Sequence, residues 1–126
     1  MIFIDTNYFL RYLLDDNKEQ AEKVKKLFYA GARGKEKLLT SVIVYFEIYW
    51  VLSSYYQKQK AEIVKTLQSL LALEFIHLEE RMILNKAIEL FSQSNLSLED
   101  CYNLSLAKSK KCSRLATFDQ KLKKYF

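Results

Sequence analysis

Short apolar runs, each followed by a stretch of helical period, constrain this chain more than any other feature. Met1-Ile2-Phe3-Ile4 is wholly apolar and brief, the pattern of a strand buried on both faces. Leu38-Leu39-Thr40, Phe75-Ile76-His77-Leu78 and Arg114-Leu115-Ala116 repeat it. Between these runs the apolar residues recur at helical spacing. Residues 6–14 start a helix, and Asp15, Asp16 and Asn17 cap a second one carrying Ala21, Val24, Leu27 and Phe28, which Gly31 and Gly34 end. Ser41 caps a strongly apolar helix through Tyr55, and residues 60–71 keep the period on Ile63, Leu67, Leu70 and Leu71. A further helix spans residues 79–94. Ser97 with Glu99 and Asp100 resembles a capping box that opens a helix to about Lys110, and Asp119 opens a last helix that reaches the C-terminus. The alternation predicts an α/β domain: a short, mainly parallel sheet flanked by helices on both faces.

One domain over residues 1–126 is expected, because half the residues are hydrophobic and two cores in so short a chain would each bury too little. No repeat or low-complexity linker interrupts it. The formal charge of +5 favours polyanionic partners such as nucleic acid, although basic surfaces are common among soluble proteins. Cys101 and Cys112 have no CxxC spacing and no histidine nearby, which argues against zinc and for two reduced thiols. The single histidine, His77, lies inside an apolar run and suits a structural role better than a catalytic one, so Ser-His-Asp or Cys-His hydrolase chemistry starts from a weak position. The N-terminus lacks the basic region and cleavage site of a signal peptide, and no apolar run could span a bilayer, so the expected location is cytoplasmic.

Four acids stand in unusual places. Asp5 follows the first apolar run, and Asp119 follows Leu115-Ala116-Thr117-Phe118. Either could simply be a helix N-cap. Glu47 is the sole charge between positions 38 and 57, in a helix so apolar that it should be largely buried, where an ionised carboxylate needs a cation or strong donors. An internal ion pair would be the structural alternative. Asp100 shares a helix face with Leu104 and Ala107, and its plain role is a first-turn acid favoured by the helix dipole. In a parallel sheet, strand ends and the helix starts after them share one edge. Carboxylates gathered there repel by about 4 kcal/mol per close pair at a protein-like dielectric. A hard divalent cation, Mg²⁺ or Mn²⁺, removes that repulsion because it prefers oxygen ligands.

Together, Ile4-Asp5-Thr6-Asn7, the segment from Ser41 to Glu47, Asp100 in its helix and Leu115-Ala116-Thr117-Phe118-Asp119 resemble the PIN domain, and within it the VapC-type toxins of toxin–antitoxin pairs. The resemblance covers nearly the whole chain. It implies a metal-dependent endoribonuclease with Asp5, Glu47, Asp100 and Asp119 as the catalytic and metal-binding quartet and Mg²⁺ or Mn²⁺ as cofactor. It also implies that Thr6 and Asn7 support the first acid by hydrogen bonding, that Thr117 is the polar hydroxyl near the last acid, that the protein forms a homodimer, and that a cognate antitoxin silences it. Many members continue past this last helix into an edge strand, whereas the sequence stops at Tyr125-Phe126. The sheet is then either one strand short or covered at that edge by a partner.

Asp5 and Asp100 are expected to hold the ion, with Glu47 and Asp119 completing its shell or orienting water. Lys108, Lys110, Lys111, Arg114 and Lys121, with Lys123 and Lys124, are candidates for RNA phosphate contact, against the alternative of a solvated face. Tyr8, Tyr45 and Tyr49 could stack bases or pack in the core. Three other readings compete. A haloacid dehalogenase phosphatase needs a second Asp where Asn7 stands. A PIN-like module could bind RNA or protein without cutting it. A nuclease could act on DNA or in RNA processing rather than as a toxin.

Overall fold

The computed structural model describes all residues from 1 to 126. Three two-residue strands, β1 (Ile2–Phe3), β2 (Leu38–Leu39) and β3 (Ile76–His77), pair in parallel in the order β1-β2-β3. Ile2 faces Leu38 and Phe3 faces Leu39, while Leu38 and Leu39 face Ile76 and His77. Seven helices connect and flank them: α1 (Thr6–Leu14), α2 (Lys18–Ala32), α3 (Val42–Trp50), α4 (Lys60–Leu71), α5 (Arg81–Gln93), α6 (Leu98–Ser109) and α7 (Gln120–Lys123). The expected α/β class with a parallel sheet is what the chain forms. No helix is long and apolar enough to cross a membrane.

A cluster of 25 buried hydrophobic residues joins these elements. Ile4, Phe9, Leu38, Ile48, Leu67, Leu84 and Leu104 come from seven different segments and are each buried. At about 25 cal/mol per Å² of apolar surface withdrawn from water, such burial is the main term opposing chain entropy. The caps agree with the sequence at two helices: Asn17 accepts the Gln20 N–H at 3.0 Å, and Ser97 accepts the Asp100 N–H at 3.1 Å.

Three expectations need correction. First, residues 114–116 form no strand, so β1 is an edge of the sheet. The run offers the core only Leu115, while Arg114 and Ala116 are exposed and Phe118 is fully so; too little apolar surface is hidden to hold a fourth strand in place. Second, Gly31 does not end α2 but lies within it. A Cβ there would meet Leu38 Cδ1 at 2.5 Å, so glycine is what lets α2 approach the sheet. Gly34, at φ +77°, makes the reversal after the helix. Third, the apolar helix from Ser41 changes character before Tyr55: α3 ends at Trp50 and runs straight into a π-helical turn, Val51–Tyr55.

Candidate functional site

The carboxyl ends of β1 and β2 are tied together just before the first acid. The Ile4 N–H bonds the Leu39 carbonyl at 2.7 Å, and the Ile4 carbonyl accepts the buried Thr40 hydroxyl at 2.9 Å. With both polar groups of Ile4 held, the chain leaves the sheet at Asp5 in a set direction. Asp5 occupies the N-cap position of α1, yet its side chain makes no capping bond, and the carboxylate is exposed. Capping therefore does not account for this acid.

Thr6, only 6% exposed, donates its hydroxyl to Glu47 Oε2 at 3.0 Å. That bond ties the start of α1 to the middle of α3. It also corrects the expected role of Thr6, which holds the second acid rather than the first. Asn7 is exposed and lines a cavity between α1 and α2. Glu47 itself is exposed, contrary to the expectation of a buried carboxylate. The helix is apolar on all sides but not buried on all sides: Ile43, Glu47 and Trp50, spaced i, i+4 and i+7, form its outward stripe. The acid reaches solvent, and no lysine or arginine pairs with it.

Asp100 lies in the first turn of α6 and is half-buried. The Phe46 and Tyr102 rings, 5.6 Å apart and nearly perpendicular, seat α6 against α3. Asp119 behaves differently from the other acids. Its Oδ1 accepts the N–H groups of Lys121 and Leu122 at 2.9 and 3.1 Å, the capping role that the sequence also allowed. Its own N–H bonds Thr117 Oγ1 at 3.0 Å. Lys121 Nζ donates to the Asn95 carbonyl at 3.1 Å and Leu122 enters the core, which sets α7 beside the turn leading into α6.

The elements that carry the four acids are thus neighbours, and none of the four is neutralised by a cation. The chain's ion pairs are Arg11 with Asp16 and Lys58 with Glu62. Even so, no three acid, histidine or cysteine side chains converge closely enough to chelate one ion. The donor chemistry nonetheless fits a hard divalent cation. All four side chains offer carboxylate oxygen, and Mg²⁺ keeps several waters while taking one or two carboxylates directly, so a closed cage is not required.

Of the other candidates, Lys108, Lys110, Lys111, Arg114 and Lys121 are all exposed. Tyr45 is not available for stacking. It is 1% exposed, its hydroxyl has no hydrogen-bond partner, and burial pushes its pKa up to about 12. Tyr49 packs edge-on against Trp50 and Phe91. Only Tyr8, 40% exposed, offers a ring to solvent.

Two features escaped the sequence. Thr40 holds Ile4; a threonine closing an apolar strand was a readable signal for it. Arg81 donates to the carbonyls of Leu71 and Ile76, and beside it Glu80 accepts the Tyr102 hydroxyl across 22 positions; neither helical period nor capping foretells such pairs.

A three-stranded parallel sheet with Asp5 leaving its first strand, and with Glu47, Asp100 and Asp119 on the adjoining helices, agrees with what comparison with known proteins finds. The chain belongs to the PIN-domain family, whose model matches residues 2–125. Among characterised proteins it is similar to a VapC ribonuclease of Aquifex aeolicus (strain VF5), with 24% identity over 124 residues that cover 98% of this chain and 91% of that protein. No solved structure gives a significant match.

Proposed function

We propose that the protein is a metal-dependent endoribonuclease that hydrolyses RNA phosphodiester bonds, acting as the toxin of a toxin–antitoxin pair. The observation that carries this reading is the set of four carboxylates, Asp5, Glu47, Asp100 and Asp119, on adjoining elements with no cation neutralising any of them. Glu47 is moreover held by the buried Thr6 hydroxyl, a fixed donor that an acid serving only as surface charge has no need of. The similarity to a VapC ribonuclease supports the same class of activity, and through it an RNA substrate and a cognate antitoxin.

In this reading Asp5 and Asp100, whose side chains serve no cap, would hold Mg²⁺ or Mn²⁺. The ion supplies a lowered pKa to bound water and charge to stabilise developing oxyanions. Glu47, fixed by the Thr6 hydroxyl, and Asp119, at the start of α7, would supply further carboxylate oxygen to the ion or to water beside it. Thr117 steadies Asp119 through its backbone N–H. Lys108, Lys110, Lys111, Arg114 and Lys121 track the RNA backbone, offsetting the repulsion between acids and phosphates. The exposed Ile43, Trp50 and Tyr55 supply apolar surface for a homodimer or an antitoxin.

The experiment is cleavage of a labelled RNA by wild type, Asp5→Asn, Asp100→Asn and Glu47→Gln with Mg²⁺, Mn²⁺ or EDTA. Cleavage that survives EDTA, or that all three variants perform normally, removes the reading. A second reading, a PIN module that binds RNA or a protein without cutting, draws on the lack of three converging acids. Calorimetric titration with Mn²⁺ separates the two, since the binding module takes up no metal.

A further inference from the structure

Next to the start of α1 lies a cavity of about 420 Å³ that contains none of the four acids. Asn7, Tyr8 and Arg11 line it from α1, and Gln20, Lys23 and Val24 from α2. The spacing explains the pairing: Asn7 and Arg11 are i and i+4 on one helix, and Gln20 and Val24 are i and i+4 on the other, so each helix turns one face into the groove. We propose that this cavity is a nucleotide subsite for the RNA substrate, with Lys23 and Arg11 holding a backbone phosphate and the Tyr8 ring taking a base. The inference rests on the ribonuclease reading and adds where the RNA runs.

Four observations support it. The lining carries two cations and no acid, although Asp5 stands only two residues from Asn7. A polyanion led toward that acid needs such a positive counterpart close by. Arg11 is paired with Asp16 through Nη1 at 2.5 Å, but both side chains are partly exposed, 31% and 49%, so the pair is weak and leaves the other guanidinium nitrogen and Nε for phosphate. Tyr8 is the surface aromatic of the groove, suited to stacking that tolerates any base. The Asn7 and Gln20 amides can donate and accept at base edges or ribose, and the volume lies within the range of small-ligand pockets.

The test measures binding of a short fluorescein-labelled single-stranded RNA by anisotropy, with Mg²⁺, in an Asp5→Asn background where the RNA stays intact. Lys23→Ala and Tyr8→Ala should each weaken binding by about fivefold or more, and Lys23→Ala should lower the salt dependence by about one counterion. Tyr8→Phe should bind like the parent because the ring is kept, and Tyr8→Ala should keep the parent's melting temperature, which separates stacking from folding. Lys65→Ala on the exposed surface of α4 should also bind like the parent. In the active background the same two alanine variants should raise KM and leave kcat unchanged. RNA binding and KM both unaltered by Lys23→Ala and Tyr8→Ala overturns the subsite while leaving the ribonuclease reading intact. A wild-type protein that neither binds nor cuts RNA overturns both.

Discussion

The Thr6 hydroxyl donates to the Glu47 carboxylate at 3.0 Å, joining residues 41 positions apart. Because Thr6 is buried and Glu47 is exposed, the donor is the fixed partner and aims the acid. Thr6→Val keeps the shape and removes the donor. Stability should fall by only about 1 kcal/mol, since water can replace the lost bond at Glu47. RNA cleavage should fall by roughly 10- to 100-fold, the usual cost of losing an orienting partner. Thr6→Ser should restore most of it. Equal cleavage by Thr6→Val and wild type would show that the orientation of Glu47 is immaterial.

Asp119 caps α7 and is also a candidate for the chemistry, and two substitutions separate these roles. Asp119→Ala removes both cap bonds and should cost about 1 kcal/mol. Asp119→Ser keeps a capping oxygen and loses the charge. Its melting temperature should stay near that of wild type while cleavage drops by at least roughly tenfold. If Asp119→Ser cuts RNA at the wild-type rate, the carboxylate is a cap and nothing more.

Tyr45 carries a buried hydroxyl without a partner. Removing it by Tyr45→Phe should raise stability by about 1 kcal/mol, because an unsatisfied buried donor costs its desolvation. Urea denaturation reads this directly, and a destabilised variant would mean that the hydroxyl is satisfied in solution, for instance by water.

Alkaline stability should report Tyr45 and Tyr102 together. Both pKa values are pushed up to about 12, Tyr45 by burial and Tyr102 by burial together with its hydrogen bond to Glu80 and that carboxylate's charge. A folded pKa raised above its unfolded value near 10 means that the folded chain holds its proton longer. The resulting stability is complete below pH 10 and is lost as pH climbs toward 12. Denaturant midpoints should decline over that window, and the decline should be shallower in Tyr102→Phe. A midpoint independent of pH there would contradict the assignment.

Gly31→Ala tests how α2 meets the sheet. The new methyl would stand 2.5 Å from Leu38 Cδ1 and 3.2 Å from Phe75 Cδ2, and Leu38 is buried with little room to move. Better helix propensity returns about 1 kcal/mol, but overpacking costs about 1–3 kcal/mol, so a net loss is expected. An increase in the urea midpoint would indicate that Leu38 repacks freely.

The helices were the most legible part of the chain. The 60–71 helix appears as the periodicity of Ile63, Leu67, Leu70 and Leu71 dictates, and Asn17 and Ser97 cap the helices expected of them. These signals are local, set by residues within a turn or two. Exposure of Glu47 was not legible, because an apolar helix hides which of its faces the rest of the molecule will cover. Nor was the missing strand at residues 114–116, where Leu115 alone reaches the core and pairing depends on surface hidden elsewhere.

Sequence alone therefore determined the alternation of strands and helices as far as residue 109 and the parallel α/β class. Tertiary structure decided which acid meets which donor: Thr6 with Glu47, Asp119 with its own helix, Asp5 and Asp100 with neither ion pair nor cap. The reason is range. Hydrophobic period and capping act over a few residues, whereas a hydrogen bond spanning 41 positions exists only after the core has brought two helices together.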